Sequence, residues 1–453
     1  MSTGVSSDTS VREAYETDAS GLHLLPDLVA RPDTVDDVVE IVKGAGAERT
    51  AITCAGAQTS TTAASITDRG LLLSLRALNR IGEVDTATRS LRVGPGALLG
   101  EIKRTAAASG FLFAPDPTSE EESTIGGAIA CNASGARTFK YGATRKHIRA
   151  LKVVLASGDV VEFRRTELEK NTVGYAFAHD PIDWFIGSEG TLGIIVEAEL
   201  SLLPLPSRVV GLAIPFRIEA DALRFVVLAR ESPQVTPRCI EFFDSPALDI
   251  ARSSGAKWPA DSNAMVYVEE EIQNELEETL ERWLQLTEEV SSGMEPLVFE
   301  GEAQLREARR IRHSVPATMN ERGGKHRAAG GRKISTDWAV PYRKLADAIG
   351  AARRIVEARG LEQPVIYGHA GNGHPHQNFI ARDPGELTTI EEAIEETLRT
   401  VLSLGGTVAA EHGIGKIKRR WLPLQMNALQ ISMMKAVKRE LDPLGILAPG
   451  NIF

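Results

Sequence analysis

The sequence predicts an α+β fold with two domains, and three observations lead to this prediction. The chain has 453 residues, which is more than one small domain needs. Short runs rich in β-branched residues alternate along it with helical runs. Glycine is frequent, with 40 residues, while aromatic residues make up only 5% of the chain. Many tight turns and few aromatic residues favour helices layered over sheets rather than an aromatic-rich β-sandwich.

The first half of the chain begins with a well-marked helix. Val35, Val38, Val39 and Val42 fall on one helical face, and Thr34 can cap the helix. The elements expected after it are strands at 50–53, 71–75 and 91–93, a helix at 97–109, a hairpin at 151–163, and two strands at 193–196 and 199–203. Prolines at 204 and 206 then predict a domain boundary.

The second half changes to longer helices with fewer strands. The elements expected there are helices at 218–230, 276–284, 345–359 and 383–402 and a strand at 265–268. This pattern predicts a second α+β domain with helices over a sheet. The predicted organisation is an extended or disordered segment at 1–14, a domain at 15–205, a second domain at 206–411 and a closing segment at 412–453.

Composition excludes several classes of protein. The formal net charge of −10 argues against general nucleic-acid binding, since phosphate backbones attract Lys and Arg. The three cysteines are far apart and form no CxxC, so we expect no disulfide framework and no iron–sulfur cluster, and a reducing compartment fits. Residues 1–10 have no apolar core, and no run of eighteen apolar residues exists, so we expect neither a signal peptide nor a membrane span.

Three segments rich in small residues are typical of backbone that approaches a ligand closely. Residues 55–64 would let backbone N–H groups contact phosphate, although a loop of this kind, taken alone, is more often a tight strand–helix connection. The pair Gly126–Gly127 opens a helix that either faces an anion or is simply capped by Ser123 or Thr124. Three glycines in 186–195 indicate backbone packed against a flat ligand.

Four of the nine histidines lie in the segments 367–378 and 411–415. Imidazoles, a carboxylate and permissive backbone are the components of an open divalent-metal site with a base beside it. The alternative is that these histidines only satisfy polar contacts at a domain seam.

The spacing of His369 and His376 needs an explanation. They are seven residues apart, so an uninterrupted strand would point them to opposite faces. Gly371, Gly373 and Pro375 interrupt the strand, and we expect a bulge that returns both imidazoles to one side.

The order of these segments resembles that of a known family. The sequence is similar to the FAD-binding domain of the vanillyl-alcohol-oxidase/PCMH flavoproteins, and most of all to their D-lactate dehydrogenase, glycolate oxidase and D-2-hydroxyglutarate dehydrogenase branch. The resemblance runs from about Tyr15 to Phe453. The motifs that carry it are Pro115–Pro117 with Thr124–Gly127, Asn132–Gly135, Tyr141–Gly142, Lys170–Tyr175, Phe185–Gly193, Pro237–Asp244 and Leu441–Asn451.

The resemblance implies a PCMH-type FAD-binding domain, an α+β substrate domain and a C-terminal tail that returns to the flavin. No histidine or cysteine stands where a covalent flavin link is expected, so the resemblance implies noncovalent FAD. The residues that it assigns to FAD are Gly56, Thr59, Ser60, Pro115, Asp116, Thr118, Gly126, Gly127, Asn132, Ser134, Gly135, Tyr141, Gly142, Glu189, Gly190, Gly193, Ile194 and Asn451.

The loop at 55–64 departs from the family pattern, which reads close to Arg-Gly-Gly-Gly-Thr-Ser. This chain has Ala55, Ala57 and Gln58 in that stretch, and Ala63–Ala64 where a glycine pair is usual. Whether these changes weaken FAD binding is left open.

The resemblance also implies a metal site. Two histidines and a glutamate hold a divalent cation in matching members, which here are His369, His376 and Glu411. Imidazole and carboxylate ligands accept zinc, manganese or iron. The family motif His-x-Gly-Asp-Gly-Asn-x-His is altered here, with Asn372 for the Asp and His374 for the Asn. His374 is an extra ligand, a substrate contact or a packed loop residue.

The remaining catalytic assignments concern the substrate. His412 is expected as the base that removes the hydroxyl proton of a 2-hydroxy acid. Arg312 falls where the family keeps an arginine that binds the substrate carboxylate, and Asn378 matches a substrate contact. Lys333 is a further candidate, with a solvated charge as the alternative.

The implied reaction is the oxidation of a D-2-hydroxy acid, such as D-lactate, D-2-hydroxyglutarate or glycolate, to the 2-oxo acid. Electrons would pass to a quinone, an electron-transfer flavoprotein or an iron–sulfur partner. The expected location is the cytoplasm, either free or at the membrane periphery through that partner; a homodimer is left open. The rival interpretations are an alkylglycerone-phosphate synthase-like flavoenzyme and a non-catalytic flavoprotein subunit of an oxidase complex.

Overall fold

The structure is a computed structural model that describes residues 4–273, 275–290 and 294–453, with Phe177 described by its backbone alone. The strands in chain order are β1 (Val5–Ser6), β2 (Leu28–Ala30), β3 (Ile52–Ala55), β4 (Leu71–Ser74), β5 (Ile81–Asp85), β6 (Ser90–Val93), β7 (Phe111–Leu112), β8 (Ile148–Val154), β9 (Val160–Arg164), β10 (Ile194–Ser201), β11 (Leu203–Pro204), β12 (Val209–Phe216), β13 (Pro237–Phe243), β14 (Ala264–Glu271), β15 (Leu297–Glu300), β16 (Arg332–Ser335), β17 (Val365–His369) and β18 (His374–Ala381).

The α-helices are α1 (Thr9–Glu13), α2 (Val35–Glu48), α3 (Leu99–Ala108), α4 (Ile125–Cys131), α5 (Thr138–Tyr141), α6 (Ile182–Phe185), α7 (Glu219–Glu231), α8 (Ser245–Ser253), α9 (Leu276–Glu288), α10 (Gly301–Gly324), α11 (Leu345–Ala358), α12 (Pro384–Ser403), α13 (Leu422–Gln425) and α14 (Ala428–Leu441). Short 3-10 helices lie at Thr144–His147, Ala176–Ala178, Arg327–Ala329, Tyr342–Lys344, Ala370–Asn372 and Arg419–Trp421. Among the described residues, no helix combines the length and the apolar character that crossing a membrane requires.

The chain folds into two compact units. Unit 1 comprises Met1–Gly135, Gly142–Leu205 and Glu411–Phe453, and unit 2 comprises Ala136–Tyr141 and Pro206–Ala410.

Unit 1 is built on two larger sheets. In the four-stranded sheet, ordered β1-β2-β4-β3, strands β2, β4 and β3 are parallel. The five-stranded sheet, ordered β5-β6-β10-β8-β9, is antiparallel. Helix α2 has a capping box in which Thr34 and Asp37 satisfy each other's backbone N–H groups, as its sequence predicts. Its buried face packs into a core with strands of both sheets.

Two expectations about unit 1 are wrong. The described part of residues 1–14 forms β1 and α1 rather than an extended tail, because Asp8 caps α1 by accepting bonds from the N–H groups of Ser10 and Val11. The two strands expected at 193–196 and 199–203 are mostly one strand, β10. Its pairing with β8 shifts register between Ile195 and Glu197, so a bulge accommodates the polar residue without ending the strand.

Unit 2 contains one antiparallel sheet of seven strands, ordered β15-β12-β14-β13-β17-β18-β16. Helices α8 and α10 pack on one face, where Leu248 and Val315 join a core with Phe243 and Tyr367. Helices α7 and α9 cover the other face. Their rings Phe225 and Trp283 stack in sequence on Phe216 of β12.

Residues 136–141 are an exception to the predicted domain of 15–205, because they belong to unit 2. Arg137 donates from Nε to Glu269 of β14 at 3.1 Å. Burial would raise the pKa of Glu269, but Arg137 and Arg238 hold it below its usual value. A buried carboxylate of unit 2 therefore takes its cation from this short excursion of the chain.

Candidate active site

The hairpin β17–β18 gathers three histidines on one face of the seven-stranded sheet. In its register His369 lies opposite His374, and Tyr367 lies opposite His376. Directly opposed residues share a face, as do residues two apart on one strand, so all three imidazoles point to the same side. His369 and His376 thus lie on one side as expected, but the expected bulge is wrong. The chain reverses through the 3-10 turn Ala370–Asn372 instead.

Gly373 ends this turn and cannot be replaced easily. Its φ of +68° is in the left-handed region, and a Cβ there would overlap the carbonyl oxygen of Val340. The tight turn is therefore possible because position 373 carries no side chain.

The three imidazoles are close together and buried. Ring centroids are 5.5 Å apart for His369 and His374, 5.4 Å for His369 and His376, and 4.6 Å for His374 and His376. Each ring offers a nitrogen, and these nitrogens lie within 4.8 Å of one another. The relative exposures are only 4%, 4% and 6%. Neutral imidazoles grouped in this way have the donor chemistry of a transition-metal site.

Glu241 of β13 holds the first of these rings. Its Oε1 is 2.6 Å from Nδ1 of His369, and its Oε2 accepts a bond of 2.7 Å from Nε of Arg312 on α10. Burial alone would raise the pKa of Glu241, yet His369 and Arg312 hold it well below its usual value. A carboxylate on Nδ1 directs the other nitrogen, Nε2, toward a ligand.

Glu241 was not recognised in the sequence as a site residue. The available signal was its place in the motif Pro237–Asp244, but contact with His369 spans 128 residues along the chain. Arg312, which the sequence did single out, is thus ion-paired and 8% exposed. Its Nη2 lies 3.4 Å from Nδ1 and 3.5 Å from Nε2 of His369.

A second buried carboxylate accompanies His374. Oδ1 of Asp337 is 3.2 Å from Nε2 of that ring. The carbonyl oxygen of Asp337 accepts a bond of 2.8 Å from the N–H of Ala410. Ala410 is the last residue of unit 2, and Glu411 and His412 follow it in unit 1. There, Nε2 of His412 lies 3.3 Å from Oε1 of Glu411.

Asn378 and Lys333 belong to the same sheet face as the histidines. Asn378 is two residues after His376, and it lies opposite Ser335 of β16, two residues from Lys333. Asn378 is 1% exposed, and its Nδ2 makes two long bonds of 3.5 Å to backbone carbonyls. Lys333 donates to Oδ1 of Asn320 at 3.0 Å, and burial lowers its pKa to about 8. Lys333 is therefore half-buried and hydrogen-bonded rather than fully solvated, and its role toward a substrate stays a prediction.

The altered loop at 55–64 keeps a backbone suited to glycine. Gln58 has φ of +55° and Ala63 has φ of +60°, both in the left-handed region. The side chain of Gln58 compensates by donating from Nε2 to the carbonyl oxygens of Tyr15 and Thr17, each at 2.9 Å. Within the part of the chain that the structure describes, the backbone N–H groups of 57–61 donate to no protein acceptor. Such a run of N–H groups in a loop with left-handed residues suits an anion.

The C-terminal segment holds this loop from within unit 1. Nδ2 of Asn451 donates to the carbonyl oxygens of Ala64 and Glu189, at 2.9 and 3.1 Å. Lys416 donates to Oδ1 of Asn451 at 2.7 Å and to the carbonyl oxygen of Ala63 at 3.2 Å.

Glu189 is the buried carboxylate of this region. Its two oxygens accept the N–H groups of Ile414 at 2.6 Å and Gly415 at 2.7 Å. Burial raises its pKa, against the effect of these two bonds. Ile414 and Gly415, which follow His412 closely in the chain, are thereby held by Glu189.

Comparison with known protein families places this chain. The family model for the C-terminal domain of FAD linked oxidases matches residues 205–452, more than half of the chain, and that for an FAD binding domain matches residues 26–164. The chain belongs to the FAD-linked oxidases.

Named relatives of this FAD-linked oxidase cover nearly its full length. Glycolate oxidase subunit GlcD of Bacillus subtilis is 31% identical, over 98% of this chain and 92% of the relative. D-lactate dehydrogenase of Anaerostipes hadrus is 28% identical, over 94% and 89%. D-2-hydroxyglutarate dehydrogenase of Xanthomonas citri is 30% identical, over 94% and 89%.

A solved alkyldihydroxyacetonephosphate synthase has a similar fold. Its TM-score is 0.72 at 18% identity, with 99% of this chain and 82% of that chain covered. The predicted resemblance and the predicted fold class are both confirmed, and the oxidase is an FAD-dependent oxidoreductase.

The glycines expected at the FAD site are also required by packing inside unit 1. A Cβ at Gly56 would overlap Oγ1 of Thr124, one at Gly135 would overlap Asp116, and one at Gly193 would overlap Val153. Thr124 caps α4 by accepting from the N–H of Gly127, so capping occurs as the alternative interpretation had it. The roles of these residues toward FAD stay predictions.

Tyr141 differs from the other residues expected at FAD. It lies in unit 2, whereas the rest of that set lies in unit 1. Its hydroxyl donates to Glu271 of β14, and burial raises its pKa. Glu271 was not recognised from the sequence, because the contact joins residues 130 positions apart.

Proposed function

We propose that this FAD-linked oxidase converts a D-2-hydroxy acid of the lactate, glycolate or 2-hydroxyglutarate class to its 2-oxo acid, with help from a divalent cation. The observation that carries the proposal is the buried three-histidine face with Glu241 and Arg312 behind it. The relatives named above, at 28–31% identity, support the substrate class. The synthase fold at 18% identity speaks for the fold alone.

The residues of unit 1 fit FAD. The N–H groups of 57–61 are suited to the pyrophosphate, and Gln58 and Ala63 keep the loop conformation that this contact needs. When bound, the flavin supplies an acceptor for the hydride from the α-carbon of the substrate. Asn451 and Lys416 hold the end of this loop through bonds to the carbonyl oxygens of Ala64 and Ala63.

His369, His376 and Glu411 are the proposed cation ligands. Glu411 directly follows Ala410 in the chain, and the N–H of Ala410 donates to the carbonyl oxygen of Asp337. A bound cation would act as a Lewis acid on the substrate hydroxyl. The carboxylate of Glu241 keeps Nε2 of His369 available for it.

His412 is the proposed base and takes the hydroxyl proton on an imidazole nitrogen, while Arg312 binds the substrate carboxylate. Glu411 lies 3.3 Å from Nε2 of His412 and would stabilise the imidazolium that results. Arg312 has five N–H donors in a planar fork, and its bond to Glu241 fixes the orientation of that fork. Asn378 presents its amide to the same face. The electron acceptor would be a quinone, an electron-transfer flavoprotein or an iron–sulfur partner.

The test is the anaerobic visible spectrum of the purified protein before and after D-lactate, D-2-hydroxyglutarate or glycolate, with L-lactate as the stereochemical control. One of these three acids should bleach the flavin band, and chelator treatment should abolish the effect. His412→Asn should slow bleaching about 100- to 10,000-fold, as loss of a general base does. His23→Asn, on a side chain that is 58% exposed, is the control. A flavin band that no acid bleaches would refute the proposed substrate class.

A further inference from the structure

We infer that His374 is a third imidazole ligand of the same cation, so that one hairpin of unit 2 supplies three nitrogen donors. This inference rests on the proposed function, because it concerns the cation of that site. It does not follow from the family motif, which has asparagine at position 374.

The register of the hairpin carries the first step. His374 pairs directly with His369 and is two residues from His376, which makes it a neighbour of both proposed ligands on one face. The centroid distance from His374 to His376, 4.6 Å, is the shortest of the three. Its ring nitrogen lies within 4.8 Å of a nitrogen of each of the other two rings. Rings at these distances can approach one small cation without any change in the backbone.

The second step is the partner of His374. Asp337 places a carboxylate oxygen 3.2 Å from Nε2 of His374, as Glu241 places one beside His369. Two of the three rings therefore have a buried carboxylate on one nitrogen, which leaves the other nitrogen for a cation. Metal-ligating histidines almost always have such a partner.

Burying the imidazole of His374 without a cation is unfavourable. His374 is 4% exposed, and within the described residues its Nε2 has no contact with hydrogen-bond geometry, although Asp337 is close. A buried polar group without a good bond destabilises the fold. Coordination through the other nitrogen, Nδ1, would fix the ring proton on Nε2, beside the carboxylate of Asp337.

The chemical consequence is selectivity among cations. Imidazole nitrogen suits zinc, copper, iron and nickel, whereas magnesium, calcium and manganese prefer oxygen. A third imidazole in place of an amide shifts the site toward the first group.

The test counts imidazole nitrogens on the cation in the full-length, FAD-loaded protein. One equivalent of Cu(II) is bound to the chelator-treated protein, and electron spin-echo modulation reports the number of imidazoles coordinated. Zinc affinity is measured separately by competition with a chromophoric chelator. The variants are His374→Asn, which restores the family residue, and Asp337→Asn, with His23→Asn as a control away from the site.

We expect three imidazoles in the wild type and in His23→Asn, and two in His374→Asn. Zinc affinity should fall at least about 10-fold in His374→Asn and about 10- to 100-fold in Asp337→Asn, the range for outer partners of a ligand. The flavin spectrum of each variant checks that it has folded, and the count on the wild type stands even if a variant does not fold.

Two imidazoles in the wild type, or an unchanged count and affinity in His374→Asn, would overturn the inference and leave the proposed oxidation intact. Three imidazoles together with a flavin that no hydroxy acid bleaches would support the inference while the proposed substrate class fails. A wild-type protein that binds no cation would refute both.

Discussion

Replacing Glu241 by glutamine tests the argument that this carboxylate organises the site. Glu241 is 1% exposed and serves two partners, with 2.6 Å to Nδ1 of His369 and 2.7 Å to Nε of Arg312. Glutamine keeps the shape but removes the negative charge that lies 2.7 Å from the buried guanidinium of Arg312. Breaking a buried ion pair in this way costs about 3–5 kcal/mol. We expect Glu241→Gln to destabilise the β13–β17 region by an amount in this range.

The assay is amide hydrogen exchange of peptides from β13 and β17 in the chelator-treated, full-length protein. A loss of about 3 kcal/mol speeds exchange more than 100-fold where exchange follows the opening equilibrium. The matched control is Glu307→Gln, because the pair Glu307–Arg310 joins side chains that are 48% and 55% exposed. That change should cost no more than about 1 kcal/mol. Equal effects of the two variants would refute the reasoning.

The same carboxylate predicts a pH dependence. The pKa of Glu241 is lower in the folded protein than the ordinary value of 4.5. Its contribution to stability is therefore complete above pH 4.5 and is lost as the pH falls toward the folded pKa. The stability difference between wild type and Glu241→Gln should shrink in that window. A difference that stays constant down to pH 3 would contradict the depressed pKa.

Three further predictions concern other parts of the chain. The Ala63→Gly variant should be more stable than Ala64→Gly by about 1–2 kcal/mol, because only Ala63 has a left-handed φ. Thermal melting of the two FAD-loaded variants measures the difference, and equal melting temperatures would contradict the prediction. Gly373→Ala should abolish cation binding, because its Cβ would overlap the carbonyl oxygen of Val340. Gly360→Ala is the control: Gly360 has φ of +66° with open space around it, so the change should lower the free energy of unfolding by only about 1–2 kcal/mol and leave cation binding intact. Zinc titration separates the two variants, and normal binding by Gly373→Ala would refute the turn argument. Burial lowers the pKa of Lys333 to about 8, so the free energy of unfolding of the wild type should rise as the pH increases from 8 toward 10.5. The same free energy should rise less in Lys333→Met. Denaturation measured at several pH values tests this, and an equal rise in both proteins would count against the burial of Lys333.

Local signals in the sequence predicted local structure well. Helix α2 was expected from the spacing of its valines and from Thr34, and both features act within one turn or two of helix. The glycines between His369 and His376 correctly indicated that the strand is interrupted there. The form of the interruption was not predictable, because whether a chain bulges or reverses depends on which strands pair on either side, here β13 and β16.

Long-range contacts account for what the sequence did not reveal. Glu241 and Asp337 reach the histidines from strands and loops far along the chain, and no spacing rule connects them. Lys333 was read as a charge of uncertain role because burial is a property of the assembled sheet. The composition of residues 136–141 did not indicate that they belong to unit 2. They are held there by the bond from Arg137 to Glu269 of β14, which is a long-range contact.

The way the chain is divided between the two units has a consequence for synthesis on the ribosome. All residues of unit 2 exist once Ala410 has been made, including the early excursion 136–141. Unit 1 begins first but needs Lys416 and Asn451 to hold the loop at 63–64. We therefore expect the nascent chain to complete its histidine hairpin before Lys416 and Asn451 are available to hold the loop at 63–64.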